Sequence, residues 1–232
     1  MKYLISLFLL TPILIFSQIT EDLSGNIRPV KKKLYTKVLL QVGGGGKVLA
    51  GEKSYTVSDK DPEDIYIHPG GGTGLEAVIG YDINPSLSGE LGIGFLQSGD
   101  QAGKDHIWFW KQTLRASVIY RLNISKGYFP YIGGGFSTNL SVSLDAETRS
   151  DELIIRYEIP TGFHILGGAE IKNPQSSWFM FGDFKFIFLG TYDIKEAKLN
   201  GNSIPISYVE SDFREMNANG FQFALGFGYY LK

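Results

Sequence analysis

The sequence predicts an all-β chain, an eight-stranded antiparallel up-and-down transmembrane β-barrel, and three observations carry that prediction. From Leu34 onward, runs rich in Val, Ile, Phe, Tyr and Gly follow one another without a heptad or a 3.6-residue stripe. The joints between runs alternate between short turns and longer polar loops, the asymmetry expected of short periplasmic turns and long extracellular loops. Within several runs one parity is bulky and apolar while the other is small or charged.

The chain begins with Lys2, an apolar stretch from Tyr3 to Phe16, and the small Ser17, which is the pattern of a secretory signal over residues 1–17. A run of about 14 apolar residues interrupted by Pro12 falls short of the roughly 20 that a spanning helix needs. Residues 18–33, ending in Lys31, Lys32 and Lys33, have no apolar period and read as a flexible periplasmic lead-in. The barrel is then expected over 34–232.

Strands are expected at 34–46, 72–83, 86–97, 106–122, 128–143, 152–171, 178–193 and 219–232. Ile83-Asn84-Pro85 joins the second to the third, 123–127 joins the fourth to the fifth, and 172–177 joins the sixth to the seventh, each with turn chemistry. The second and third strands set Glu76 and Glu90 among glycines, opposite Leu75, Ala77, Ile79 and Leu91, Ile93, Phe95. In the fourth, Lys111, Thr113, Arg115, Ser117 and Arg121 share a face. Pro160 lacks a ladder donor and is expected as a bulge in the sixth strand near the outer rim. The seventh puts Trp178, Met180, Phe184, Phe186, Phe188 and Tyr192 on one parity and Asp183 and Lys185 on the other. The eighth alternates Phe221, Phe223, Leu225, Phe227, Tyr229 and Leu231 with small or polar residues. Lys198–Ser203 has hairpin-turn chemistry, so the seventh and eighth strands are expected to continue as a ribbon above the membrane.

A soluble ligand-carrying barrel would turn its greasy face inward; here small residues and a few charges suit a narrow lumen, and the bulky set suits lipid. Aromatics gather toward strand ends as two belts, Tyr81, Tyr120, Tyr128, Phe129, Trp178 and Tyr229 on the turn side, with Phe95, Trp108, Trp110, Tyr157, Tyr192 and Phe221 on the loop side. The charges assigned inward are Glu76, Glu90, Glu158 and Asp183 against Lys111, Arg115, Arg156 and Lys185, with His164 and Gln222 nearby. Their signs balance, as a structural ion-pair network requires; a gated pathway for small solutes is the sharper alternative.

A net charge of -2 gives no pull toward nucleic acid, and a chain without cysteine has no disulfide, thiolate metal site or lipoprotein anchor. The Gly43–Lys47 run fails the phosphate-loop pattern, with Gln41 and Val48 where Gly and Ser or Thr are needed. Asp59–Asp64 lacks the Gly and terminal Glu of a calcium loop. Histidines at 68, 106 and 164 show no nucleophile motif, so no catalytic, cofactor or metal site is expected and the chain is read as a non-enzyme.

The stretch Tyr128-Phe129-Pro130-Tyr131-Ile132-Gly133-Gly134-Gly135-Phe136 resembles the entry strand of the small outer-membrane barrels related to the OmpA, OmpX and OmpW families. Gly167–Lys172 followed by Trp178 and Asp183-Phe184-Lys185-Phe186 resembles a hairpin of the same group, and Gly226-x-x-Tyr229-x-Leu231 is similar to the signal read by the outer-membrane assembly machinery. That last match departs in ending at Lys232 and in carrying Ala224. The resemblance implies the outer membrane of a Gram-negative cell, with the bilayer, lipopolysaccharide and the assembly machinery as partners. It implies a structural, adhesive or surface-interaction role, or a narrow channel for small, apolar solutes; lipid-modifying barrel enzymes use a His-x-Ser spacing that His164-Ile165-Leu166 lacks.

Overall fold

A computed structural model describes residues 34–53, 63–102, 105–122, 127–147, 150–172 and 176–231. The signal and lead-in expected over 1–33, the turn residues 123–126 and 173–175, and most of the Asp59–Asp64 run lie outside them. In chain order the strands are β1 (Leu34–Gly45), β2 (Val48–Lys53), β3 (Glu63–Ile67), β4 (Gly72–Asp82), β5 (Leu87–Ala102), β6 (Asp105–Arg121), β7 (Tyr128–Glu147), β8 (Glu152–Tyr157), β9 (Thr161–Lys172), β10 (Trp178–Phe188), β11 (Thr191–Leu199), β12 (Asn202–Ser203), β13 (Glu215–Asn217) and β14 (Gly220–Tyr230).

Eight of these close on themselves, all antiparallel, in the order β1, β4, β5, β6, β7, β9, β10, β14 and back to β1. The stagger of that closure can be walked residue by residue. Tyr35 pairs Gly80, Gly80 pairs Glu90, then Ser117, Gly135, His164, Ile187, Gly220 and finally Gly45, so one circuit moves from position 35 to position 45 along β1. With strands about 4.7 Å apart and about 3.3 Å of rise per residue, that stagger tilts eight strands by roughly 40°. At such a tilt the 11 residues of β4, β10 and β14 suffice to cross the hydrocarbon.

The molecule is apolar outside and charged inside. Leu225 is 73% exposed, Leu40 66% and Phe227 58%, whereas Lys37, Glu76 and Lys185 are each under 5% exposed. Because side chains alternate with a period of two, a one-residue slip of β10 would turn Lys185 outward at about 2–4 kcal/mol near the midplane. Trp178 packs on Tyr229 at 4.8 Å between ring centroids, and Phe95 stacks on Trp110 at 6.4 Å, so aromatics mark the two rims.

Beyond the outer rim β5, β6 and β7 continue, and β8 and β11 add to them as a sheet that encloses a second apolar core of Phe109, Leu144, Ile155, Tyr157, Tyr192 and Met216. Tyr157 and Tyr192 belong to this core and not to the outer belt. Main-chain parity inverts at Leu189–Gly190, where Gly190 takes a φ of 86° and Asn219 Oδ1 accepts from both amides, so Tyr192 turns inward. The break at Pro160 is a gap and not a bulge: β8 and β9 hold one register against β7, Arg156 opposite Ser143 and Thr161 opposite Thr138. Asn200-Gly201 makes the expected hairpin turn, but the returning strand β12 has two residues, and the long partner of β11 is β8. The ribbon is therefore built by β8 and β11, from the expected sixth and seventh strands, and not by the seventh and eighth.

Candidate functional site

Six of the charged side chains expected inside the barrel lie there, and two do not. Glu76 and Glu90 project from β4 and β5, Lys111 and Arg115 from β6, and Asp183 and Lys185 from β10, all on the parity opposite the lipid-facing set. Arg156 and Glu158 are exposed above the membrane, and Arg156 pairs outside with Glu196 at 3.7 Å. Ile155 and Tyr157 point into the outer core, which reverses the parity that a lipid-facing sixth strand would have.

The lumen holds two linked clusters. In the inner one, Lys37 Nζ lies 2.6 Å from Glu90 and 3.0 Å from Glu170 and sits 4.7 Å from the centre of the Phe181 ring. Glu170 is completely buried and also accepts from Arg121 at 2.8 Å and Lys172 at 2.7 Å. Arg121 reaches Asp82 at 2.8 Å, donates to Ser88, and lies 3.1 Å from the Tyr35 hydroxyl, which donates to Glu90 at 2.8 Å. In the outer cluster Arg115 and Lys185 both pair with Glu76, Lys185 at 3.2 Å. Glu90 joins the two, since Arg115 also approaches it at 3.5 Å. Asp183 is served by the Tyr131 hydroxyl at 3.3 Å.

Lys37, Arg121, Glu170, Asp82 and Lys172 join the network beyond the residues expected from the sequence. A signal existed for two of them: Arg121 shares a parity with Lys111 and Arg115, and Glu170 sits in the Gly-Ala-Glu stretch. The inner end of the lumen is also more aromatic than expected, with Tyr35, Phe179, Phe181 and Tyr131 all buried there.

His164 lies at the centre, 2.9 Å from Ser117 Oγ through Nε2 and 2.8 Å from Ser137 Oγ through Nδ1. The Ser117–His164 pair has the distance of a nucleophile and its base, but Nδ1 faces a hydroxyl where a triad needs an orienting carboxylate. His164 is 1% exposed and closed off from solvent. Among the described residues no group of three His, Asp or Glu side chains is arranged to hold a metal ion.

In the outer half of the lumen lies a cavity of about 20 Å³ lined by Glu76, Lys111, Arg115, Asn139, Lys185 and Gln222. That is room for about one water molecule. Above it, Pro69, Gly70, Gly71 and Gly72 are buried across the mouth, and Lys111 Nζ donates to the Pro69 carbonyl at 2.8 Å. Close approach is possible because these are glycines: a Cβ on Gly70 would lie 1.8 Å from the Asn219 carbonyl oxygen, and one on Gly71 would lie 2.4 Å from that of Gly43. The two glycine runs of the sequence, 43–46 and 70–72, meet here.

A closed antiparallel barrel of eight strands, with a lipid-facing apolar surface and a charged, filled interior, is a small transmembrane barrel of outer-membrane type. Among solved structures the chain is similar to a major outer membrane protein of Thermus thermophilus, with 15% identity and a TM-score of 0.50, over 84% of this chain and 99% of that one. It is also similar to OprG of Pseudomonas aeruginosa, with 12% identity, a TM-score of 0.49 and coverage of 87% and 96%. Neisserial surface protein A gives 12% identity, a TM-score of 0.46 and coverage of 84% and 96%. No family model matches the sequence, and no curated protein sequence is similar to it.

Proposed function

We propose that this chain is a sealed, non-enzymatic outer-membrane barrel whose role is structural or adhesive and is carried by the segments above the membrane. The observation that carries the reading is the filled lumen: two ion-pair clusters, a cavity of about 20 Å³ and a buried glycine-rich turn occupy the axis in succession. Buried ion pairs of this kind hold a barrel closed, because breaking one strands its partner in a dry interior at about 3–5 kcal/mol. The outer core of Phe109, Tyr157, Tyr192 and Met216 gives the extracellular sheet a rigid base, which suits presentation of a surface to a partner.

The test is conductance of the full chain in planar bilayers. A sealed barrel gives no discrete steps at any applied voltage. Steps whose size changes when Arg115 or Glu90 is neutralised would replace this reading with that of a solute channel.

A further inference from the structure

A second open space lies outside the lumen. It is a cleft of about 570 Å³ at the outer rim of β4, β5 and β6, beneath the end of β3. Its walls include Tyr66, His68, Thr73, Gln97, Ser98 and Trp108, with glycine backbone at 43, 72 and 99. That volume falls within the range of small-molecule sites. Thr73 pairs with Gln97, and both stand on the outward parity, one step above Leu75 and Phe95, so the cleft opens outward just above the lipid-facing belt. This is the level of headgroups.

We propose that the cleft holds the sugar headgroup of an outer-leaflet glycolipid. Two aromatic side chains of the lining, Tyr66 and Trp108, suit the C–H faces of a pyranose, and the Gln97 amide, the Thr73 hydroxyl and the His68 imidazole suit its hydroxyl groups. Glycine backbone lets a ring approach without side-chain obstruction. Among the described residues the lining carries no carboxylate or ammonium, and Lys47 beside it is turned onto the Tyr66 ring, which favours a neutral ring over a phosphate or sulfate group. Tyr66 is held by Lys47, whose Nζ lies 3.4 Å from its ring centre, and His68 is held by its amide donating to Ser98 Oγ at 3.1 Å. The inference uses the membrane position of the barrel and is independent of whether the lumen conducts.

The test titrates the refolded full chain in zwitterionic micelles with three probes: rough lipopolysaccharide, its core oligosaccharide freed of acyl chains, and phosphatidylglycerol. Tryptophan emission is followed in the unaltered chain, in Trp108→Ala and in Trp178→Phe, with saturation-transfer NMR on the oligosaccharide as a second readout. The expected result is a saturable response to lipopolysaccharide and to its oligosaccharide, retained in Trp178→Phe and weakened about tenfold or more in Trp108→Ala and Gln97→Ala, as for loss of a central anchor. Gel mobility before and after boiling establishes that each variant is folded; if Trp108→Ala is not, displacement of lipopolysaccharide by the free oligosaccharide in the unaltered chain decides. An equal response to phosphatidylglycerol, a response lost with Trp178 instead of Trp108, or no saturable response overturns the proposal. Binding of dextran in place of the core oligosaccharide also overturns it, by assigning the cleft to a free glycan. Conductance of the same preparations reports on the sealed lumen separately.

Discussion

Lys111 Nζ and the carbonyl oxygen of Pro69 lie 2.8 Å apart inside the outer mouth of the barrel, and among the described residues no carboxylate pairs with that ammonium. The bond ties the glycine-rich return before β4 to β6, 42 residues away. A hydrogen bond to a charged group contributes about 1.5–3 kcal/mol, but a buried lone charge is itself costly. Lys111→Met is therefore expected to leave global stability unchanged or raised while amide exchange at Gly70 and Gly71 accelerates about tenfold or more. Hydrogen exchange by mass spectrometry, read peptide by peptide, checks this; uniform acceleration across the barrel would contradict it.

The meeting of the two glycine runs is a steric requirement. Gly70→Ala would press a methyl carbon against the Asn219 carbonyl, whereas Gly89→Ala meets nothing within 4 Å. Overpacking of this kind costs about 1–3 kcal/mol. Urea unfolding in lipid vesicles, followed by gel mobility, is expected to show that loss for Gly70→Ala and a near-unchanged midpoint for Gly89→Ala.

Glu170 serves three cations, Lys37, Arg121 and Lys172, with no exposure of its own. Glu170→Gln leaves excess positive charge in a dry lumen and is expected to cost about 3–5 kcal/mol. Arg156→Gln removes an exposed pair above the membrane and is expected to leave the unfolding midpoint in place, since such pairs are screened by solvent. The same unfolding assay measures both, and equal effects would show that burial does not govern the pairs.

The ribbon tip carries a pH signature. Asn200 Nδ2 donates to Asp151 at 2.8 Å and Ser150 Oγ donates to it at 3.0 Å, and these hydrogen bonds hold the Asp151 carboxyl below the ordinary value of about 3.9. A depressed carboxyl stabilises the folded tip fully above its unfolded value, and the contribution disappears as pH falls through the folded value. Carboxyl NMR titration should find Asp151 below the reference, and Asn200→Gly, which tolerates the φ of 51° at that position, should move it upward.

In β10 the inward Lys185 and outward Phe186 follow from alternation, and so does β14, because lipid on one side and a charged lumen on the other leave one admissible register. Gly43–Gly46 and Gly70–Gly72 could be read as glycine runs but not as each other's partners, since nothing local links segments separated by a hairpin. Arg156 and Glu158 stand outside the lumen for a related reason. A strand that leaves the membrane keeps its period of two while the apolar side changes from lipid to a protein core.

What the linear order of residues determined was the class: eight crossings, their apolar face, the short-turn side and the charges that must avoid lipid. What only the folded chain decided was partnership. Glu170 selects Lys37 and Arg121 from strands far apart in the chain, His164 bridges Ser117 and Ser137, and Pro69 closes over Lys111. Periodicity reports which side of a strand a residue occupies, but the height at which two strands meet across a lumen follows from the stagger of the closed barrel, a property of all eight pairings together.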